Sequence, residues 1–261
     1  MMDDIRGLRV IIRFVFHFVA AIAAILVLGV SSWDLTTKTG DGTFLLTFLA
    51  AGLALLWIRG YTNAFNFMDG INGIAAGQTV LTSLGMALVG GLGTGRWEHP
   101  GVLFSLMLAG SAAGFAPHNF PKARMFMGDV GSAPLGFLLA TLMLWLARDL
   151  GWIFIPLALL HANFVLDTAI TLDRRIYRGE RFCPAHREHF YQRLVRSGKS
   201  HAFVTGLEAG LLALVVLMMV GYVYAGVWGR VMLALAVPAM WIIFFHIAKS
   251  NSAIQKEFLP D

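Results

Sequence analysis

The chain has 261 residues, of which 57% are hydrophobic and 13% charged, and its mean hydropathy is +0.71. A soluble domain carries about 25% charged residues, so a water-solvated globule is excluded and an integral membrane protein is indicated. The net charge of +5 does not point to nucleic acid, because the cations sort by side of the membrane rather than into one patch, and the single Cys183 excludes an intramolecular disulfide.

Eight apolar segments follow one another, at 14–30, 44–58, 73–92, 101–116, 133–147, 152–170, 203–225 and 229–248. Each is close to the roughly 20 residues that span hydrocarbon. Lipid leaves no partner for unpaired backbone groups, so the segments are expected to be helices. A transmembrane barrel would need alternating stretches of about 10 residues, which are absent. The expected fold is all-α, one polytopic domain over residues 1–261 with about eight transmembrane helices. The third segment is rich in small residues (Gly73, Ala75, Ala76, Gly77, Ser83, Gly85), which let helices approach closely in lipid. The polar stretch 171–201 reads as a helix extension, a turn at Gly179 and a second short helix. The aromatic residues read as lipid-facing or interfacial.

The cations orient the chain. With the Asp3–Asp4 end inside, the inner loops hold Arg6, Arg9, Arg13, Arg59, Lys122, Arg124, Arg174, Arg175, Arg178, Arg181, Arg187, Arg193, Arg196, Lys199, Lys249 and Lys256. The outer loops hold Lys38, Arg96, Arg148 and Arg230. That asymmetry follows the positive-inside rule and places both termini in the cytoplasm.

Three polar stretches fall on that inner face. The first is 63–73, with Asn63, Asn66, Asp69, Gly70, Asn72 and Gly73; the second is 126–132, with Asp129 between Gly128 and Gly131; the third is 174–193, with His186, Arg187 and His189. Carboxylates at membrane helix ends are functional candidates, and here Asp3, Asp4, Asp69, Asp129, Asp167 and Asp173 come from several helices. Converging carboxylates suit a hard cation such as Mg²⁺ that also binds substrate phosphate. Neighbouring Lys122, Arg124, Arg174, Arg175 and Arg187 suit phosphate oxygens. Together these are the parts of phosphoryl transfer involving a diphosphate. Each part also has a plainer reading. Asp3 and Asp4 serve equally as solvated terminal acids, Asp69-Gly70 and Asp129 as turn or helix-cap residues, and the basic run as an anionic-lipid contact. His186 and His189 serve equally as surface histidines. His161 and Asn163 read as helix–helix hydrogen-bonding residues, and His118 as a loop residue. It is the joint placement on one face that favours chemistry.

The motifs Asn63-x-x-Asn66-x-x-Asp69-Gly70-x-x-Gly73 and Phe126-Met127-Gly128-Asp129-x-Gly131-Ser132-x-x-Leu135-Gly136 resemble those of the polyprenyl-phosphate N-acetylhexosamine-1-phosphate transferases. Asp3-Asp4 before Arg6-Gly7-Leu8 resembles the paired aspartates of that superfamily. Arg174-Arg175 with Gly179, Pro184 and Arg187-x-His189 resembles its last cytoplasmic loop. The resemblance implies transfer of an N-acetylhexosamine 1-phosphate from a UDP-sugar to undecaprenyl phosphate, with release of UMP, in a bacterial inner membrane with a cytoplasmic site. It implies Mg²⁺ as cofactor, for which Mn²⁺ can substitute. It assigns Asp129 and Asp69 to the metal, and Asp3, Asp4, Asp69 and Asp129 to catalysis. Asn63, Asn66, Lys122, Arg124, His186, Arg187 and His189 fall to the nucleotide, diphosphate or sugar. Membrane lipids are the surroundings and nucleic acid is not a partner; a homodimer is left open.

Two departures qualify the resemblance. Phe190-Tyr191-Gln192 follow His189 where the GlcNAc-1-phosphate enzymes often carry further histidines, and the run of histidines of the peptidoglycan branch is absent; the loop 185–194 looks more like that of the branch that initiates O-antigen or other surface glycans. About three helices precede the paired aspartates in the family, whereas Met1-Met2 precede Asp3 here; the chain is expected to be a shortened member. The rival readings are an inactive truncated homologue and a transporter or flippase of an anionic lipid-linked substrate. The flippase would need polar residues along the middle of the helices. A CDP-alcohol phosphotransferase is excluded because Ile71-Asn72-Gly73-Ile74 follow Asp69-Gly70 where that family requires Ala-Arg.

Overall fold

The computed structural model describes residues 10–29, 43–151, 153–180 and 188–258. Its elements among these residues are helices α1 Val10–Val27, α2 Thr43–Met68, α3 Ile74–Thr94, α4 Pro100–Asn119, α5 Gly128–Leu150, α6 Phe154–Leu159, α7 Ala162–Tyr177, α8 Phe190–Arg196, α9 His201–Tyr224 and α10 Val227–Phe258. The protein is all-helical and polytopic. Among the described residues five helices are long and apolar enough to cross a membrane: α3, α4, α5, α9 and the Val227–Ala248 part of α10. A shorter apolar stretch, Val15–Val27, lies in α1.

Helix α3 is the axis of the bundle. Its spanning stretch is 72% buried inside the protein, against 22% for α10. It packs along α4 and α9, while α2 packs against α5, α1 and α7. The small residues anticipated in α3 do this work: Ala75, Ala76, Ser83 and Gly85 are all buried, and close backbone approach replaces the hydrophobic drive that lipid does not supply.

The expected single span 152–170 is broken. The chain forms α6, turns at Leu160–His161 and restarts as α7. The break frees the Leu160 carbonyl, which accepts from Thr82 Oγ1 at 3.2 Å and from Gln78 Nε2 at 3.5 Å. Irregular backbone at membrane depth persists only where protein groups satisfy it, and α3 supplies them. Gln78 Oε1 also accepts from Asn163 Nδ2 at 2.6 Å, the cross-helix bond anticipated for Asn163. His161 differs from expectation: its Nδ1 pairs with the Leu157 carbonyl four residues back at 2.9 Å, and its ring edges onto Trp57 and Tyr61.

The reading of the aromatic residues as lipid-facing fails for several of them. Tyr61, Phe65, Phe164, Phe190 and Trp241 are fully enclosed, and they pack between helices, with Phe65 tilted against Phe164 at 5.4 Å and Phe190 stacked on Phe245 at 4.4 Å. Tyr61 and Phe65 lie four residues apart on one face of α2, a spacing that stacks side chains on a helix. Phe48, Leu53, Trp228 and Ile243 remain exposed and face outward.

Candidate active site

Helix α2 runs ten residues past the apolar segment 44–58, so Asn63 and Asn66 stand on its last turns rather than in a loop. Both are half-buried. The helix ends at Met68, and the chain turns through Asp69 and Gly70, with the Gly70 amide donating to Met68 O at 2.9 Å. The turn is pinned from three directions. Thr205 of α9 donates to Asn72 O at 2.7 Å, the Gly73 amide donates to Asn119 Oδ1 at 2.7 Å, and Asn72 Nδ2 donates to Pro121 O at 3.2 Å. Asn119 Nδ2 in turn donates to Met125 O at 2.8 Å. This bond steadies the segment that carries Lys122 and Arg124, whose side chains are exposed. His118, expected in a loop, lies in the last turn of α4, and its carbonyl accepts the amides of Arg124 and Met125.

The second stretch opens α5. Asp129 occupies the first turn, where the positive end of the helix dipole favours an acid. The Ser132 hydroxyl lies 2.5 Å from Asn66 Oδ1 and 3.1 Å from Gly128 O, so the first two motifs are joined side chain to side chain. Gly136 allows this approach. A Cβ there would lie 2.7 Å from Phe65 Cβ and 3.1 Å from the Thr62 Cα, closer than α2 can accept without moving its backbone.

Asp69 lies close enough to Asp129 to feel its charge. The Asp69 carboxyl is pushed up to about 6, first by burial and then by the negative charge of Asp129. Burial and a like charge both disfavour its ionised form. A divalent cation relieves both effects, and Mg²⁺ is commonly held by one or two carboxylates with water and substrate phosphate completing its shell. The donor set therefore fits the metal. Among the described residues no group of three or more His, Cys, Asp or Glu side chains converges on a metal-sized space, so a cation held here would find two carboxylates and complete its shell with water and substrate.

The third stretch packs over the first. Helix α7 continues to Tyr177, a turn follows with Gly179 at φ +69, and α8 begins at Phe190. His189 is 2% exposed and Asp167 is fully buried, with 2.9 Å between His189 Nδ1 and Asp167 Oδ1. Asp167 also accepts the Phe190 amide at 3.0 Å and the Thr171 hydroxyl at 3.2 Å. His189 is thus held within the protein rather than displayed on the surface. Arg175 is buried and ion-paired with Glu188 at 2.9 Å and Glu180 at 3.1 Å, and Arg174 lies over the Phe190 ring. These two cations, candidates for phosphate in sequence, organise the loop. Asp3, Asp4, His186 and Arg187 lie outside the described residues.

Two groups went unread in the sequence. Tyr191 donates from its hydroxyl to Phe67 O at 3.0 Å, directly joining α8 to the Asp69 turn. Glu208 sits at 3% exposure on α9, beside Asn163 and Gln78, lining a cavity of about 10 Å³. The only sequence signal for Glu208 was a lone acid within an apolar run.

Against known proteins, the sequence profile of glycosyl transferase family 4 matches residues 1–147. The chain is 31% identical over 233 residues to a probable undecaprenyl-phosphate N-acetylglucosaminyl 1-phosphate transferase of Bacillus subtilis, covering 83% of this chain and 60% of that one. It is 32% identical over 223 residues to a decaprenyl-phosphate N-acetylglucosaminephosphotransferase of Mycobacterium leprae, covering 77% and 55%. It is 28% identical over 197 residues to a phospho-N-acetylmuramoyl-pentapeptide-transferase of Limosilactobacillus reuteri, covering 70% and 58%. The chain thus spans between half and two thirds of the length of these relatives. The matched profile takes in more than half of the chain and includes Asp69, Asp129 and the Asn66–Ser132 junction between them; the chain belongs to glycosyl transferase family 4.

Proposed function

We propose that this protein transfers an N-acetylhexosamine 1-phosphate from a UDP-sugar to undecaprenyl phosphate at the cytoplasmic face of a bacterial inner membrane. UMP is released, and the product initiates a lipid-linked surface glycan such as O-antigen. The observation that carries the reading is the meeting of Asp69 and Asp129 at one end of the bundle, fixed by the Ser132–Asn66 hydrogen bond.

In this reading an oxygen of the lipid phosphate attacks the sugar-bearing phosphorus. A new P–O–P bond forms, and the bond from that phosphorus to the UMP oxygen breaks. The lipid phosphate has a second pKa of about 6, so it is already nucleophilic and needs no strong base. Asp69 and Asp129 would hold Mg²⁺, which when bound neutralises charge on the diphosphate. Asn66, fixed by Ser132, keeps the α2 terminus in register with α5. Exposed Lys122 and Arg124 supply positive charge at the mouth of the site. By the family resemblance Asp3, with Asp4 beside it, would serve the lipid phosphate, and His186 and Arg187 the diphosphate or sugar; His189, buried against Asp167, would support that side from within.

A groove of about 960 Å³ supports a prenyl substrate. It is walled by Leu49, Leu53, Trp57, Phe154, Val165 and Leu172 and ends at Ala64, two residues before Asn66. A flippase reading has less support. The polar side chains of the bundle interior (Gln78, Asn163, Glu208) enclose a cavity of about 10 Å³, about one water molecule in size, rather than a path for a headgroup.

The test is UMP release by the purified protein given undecaprenyl phosphate, Mg²⁺ and UDP-GlcNAc, then UDP-N-acetylfucosamine. Release with either donor supports the reaction, and the donor that works names the sugar. Mg²⁺-independent release would sink the metal assignment.

A further inference from the structure

The pair that follows His189 is not accounted for by substrate contacts. Tyr191 is fully buried, and its ring lies parallel to that of His189 with 6.0 Å between centroids. Gln192 donates from Nε2 to the Tyr191 hydroxyl oxygen at 3.0 Å, and its Oε1 accepts the His189 amide at 3.3 Å. An amide N–H is donor only, so the Tyr191 proton is left to point at the Phe67 carbonyl, 3.0 Å away. The result is a directed chain from Gln192 through Tyr191 to the backbone two residues before Asp69. Gly70 completes it. A Cβ at Gly70 would stand 2.1 Å from the Tyr191 hydroxyl oxygen and 3.0 Å from its Cζ, so the turn tolerates Tyr191 only because residue 70 has no side chain.

We propose that Tyr191 and Gln192 are positioning residues that set the geometry of the Asp69 carboxylate through the Phe67 carbonyl. This rests on the reading of Asp69 as part of the active site. Neither residue touches the reacting atoms. Tyr191 fixes the last turn of α2, while Thr205 and Asn119 fix Asn72 and Gly73 on the other side of Asp69.

The direction of the chain provides the test. Tyr191→Phe keeps the ring and removes the bond. Gln192→Glu keeps the acceptor for the His189 amide but loses the donor, so the Tyr191 proton turns to the new carboxylate and away from Phe67. In the intact 261-residue protein, Mn²⁺ binding followed by electron paramagnetic resonance with UDP present should weaken about tenfold in both variants, the loss expected for one hydrogen bond. kcat should fall by a similar factor, with KM for the UDP-sugar changed by less than about twofold, and the unfolding midpoint should fall modestly because a buried hydrogen bond is lost. Wild-type Mn²⁺ affinity in both variants would overturn the proposal, as would an equal loss of affinity in Val102→Ala, a buried-core change in α4 that lowers the midpoint without touching this chain of bonds. Weakened Mn²⁺ binding in a protein that releases no UMP from any UDP-sugar would support the positioning role and overturn the transferase reading instead.

Discussion

Asp167 and His189 form a buried pair, 2.9 Å from Oδ1 to Nδ1, with Asp167 fully enclosed and His189 2% exposed. The same carboxylate takes the Phe190 amide at 3.0 Å, so one side chain of α7 both holds the histidine and caps α8. Asp167→Ala strips the partner from several buried donors, each worth about 1–3 kcal/mol when left unsatisfied. The unfolding midpoint in detergent should fall, and hydrogen exchange should accelerate at Phe190 and Tyr191 first. Asp167→Asn, which keeps one acceptor, should fall between Ala and wild type.

The Asp69–Asp129 pair predicts the metal response. Asp129→Asn should abolish Mg²⁺-dependent transfer while the protein remains folded and membrane-inserted, as judged by circular dichroism and flotation with vesicles. Full activity in that variant would remove Asp129 from the metal.

Asp69 also sets a pH dependence. Its carboxyl is raised to about 6 by burial and by Asp129, so below that pH it carries a proton that competes with the cation. Half-saturating Mg²⁺ should therefore rise as pH falls through about 6, by up to about tenfold per unit. The stability effect has the opposite sign. Without metal, the folded state binds a proton that the unfolded chain releases near pH 3.8, so this carboxyl favours folding at acid pH and loses that contribution as pH rises towards 6. Thermal unfolding with and without Mg²⁺ across that range measures both.

Gly136→Ala tests the contact between α2 and α5. The added carbon meets Phe65 and the Thr62 backbone, and overpacking of this kind costs about 1–3 kcal/mol. Because the strain falls one turn from Ser132, it should also lower activity, whereas Gly114→Ala, with nothing within 4 Å of its new carbon, should be silent in both.

The helices were legible because lipid leaves the backbone few options, and the positions of Asp69 and Asp129 were legible because each sits at the end of an apolar run. What the pattern concealed depends on three-dimensional partners. The break at Leu160–His161 carries no Gly or Pro at its centre; it exists because Thr82 and Gln78 of α3 receive the freed carbonyl. Tyr61, Phe65 and Trp241 read as lipid-facing because an apolar helix in lipid has no polar face to mark its inner side. Asp167 read as one acid among several, since nothing in sequence connects it to a histidine 22 residues away. Arg174 and Arg175 read as phosphate-binding until Phe190, Glu180 and Glu188 supplied their partners.

The central claim is a phosphoryl transfer at the meeting of Asp69 and Asp129. The measurement that reaches it most directly is ³¹P NMR of the purified chain with undecaprenyl phosphate, Mg²⁺ and a UDP-N-acetylhexosamine. The account predicts that UMP and a new lipid diphosphate grow in equal amounts and that both vanish in Asp129→Asn. UMP without lipid diphosphate, or the same spectrum from the Asp129→Asn protein, would contradict it.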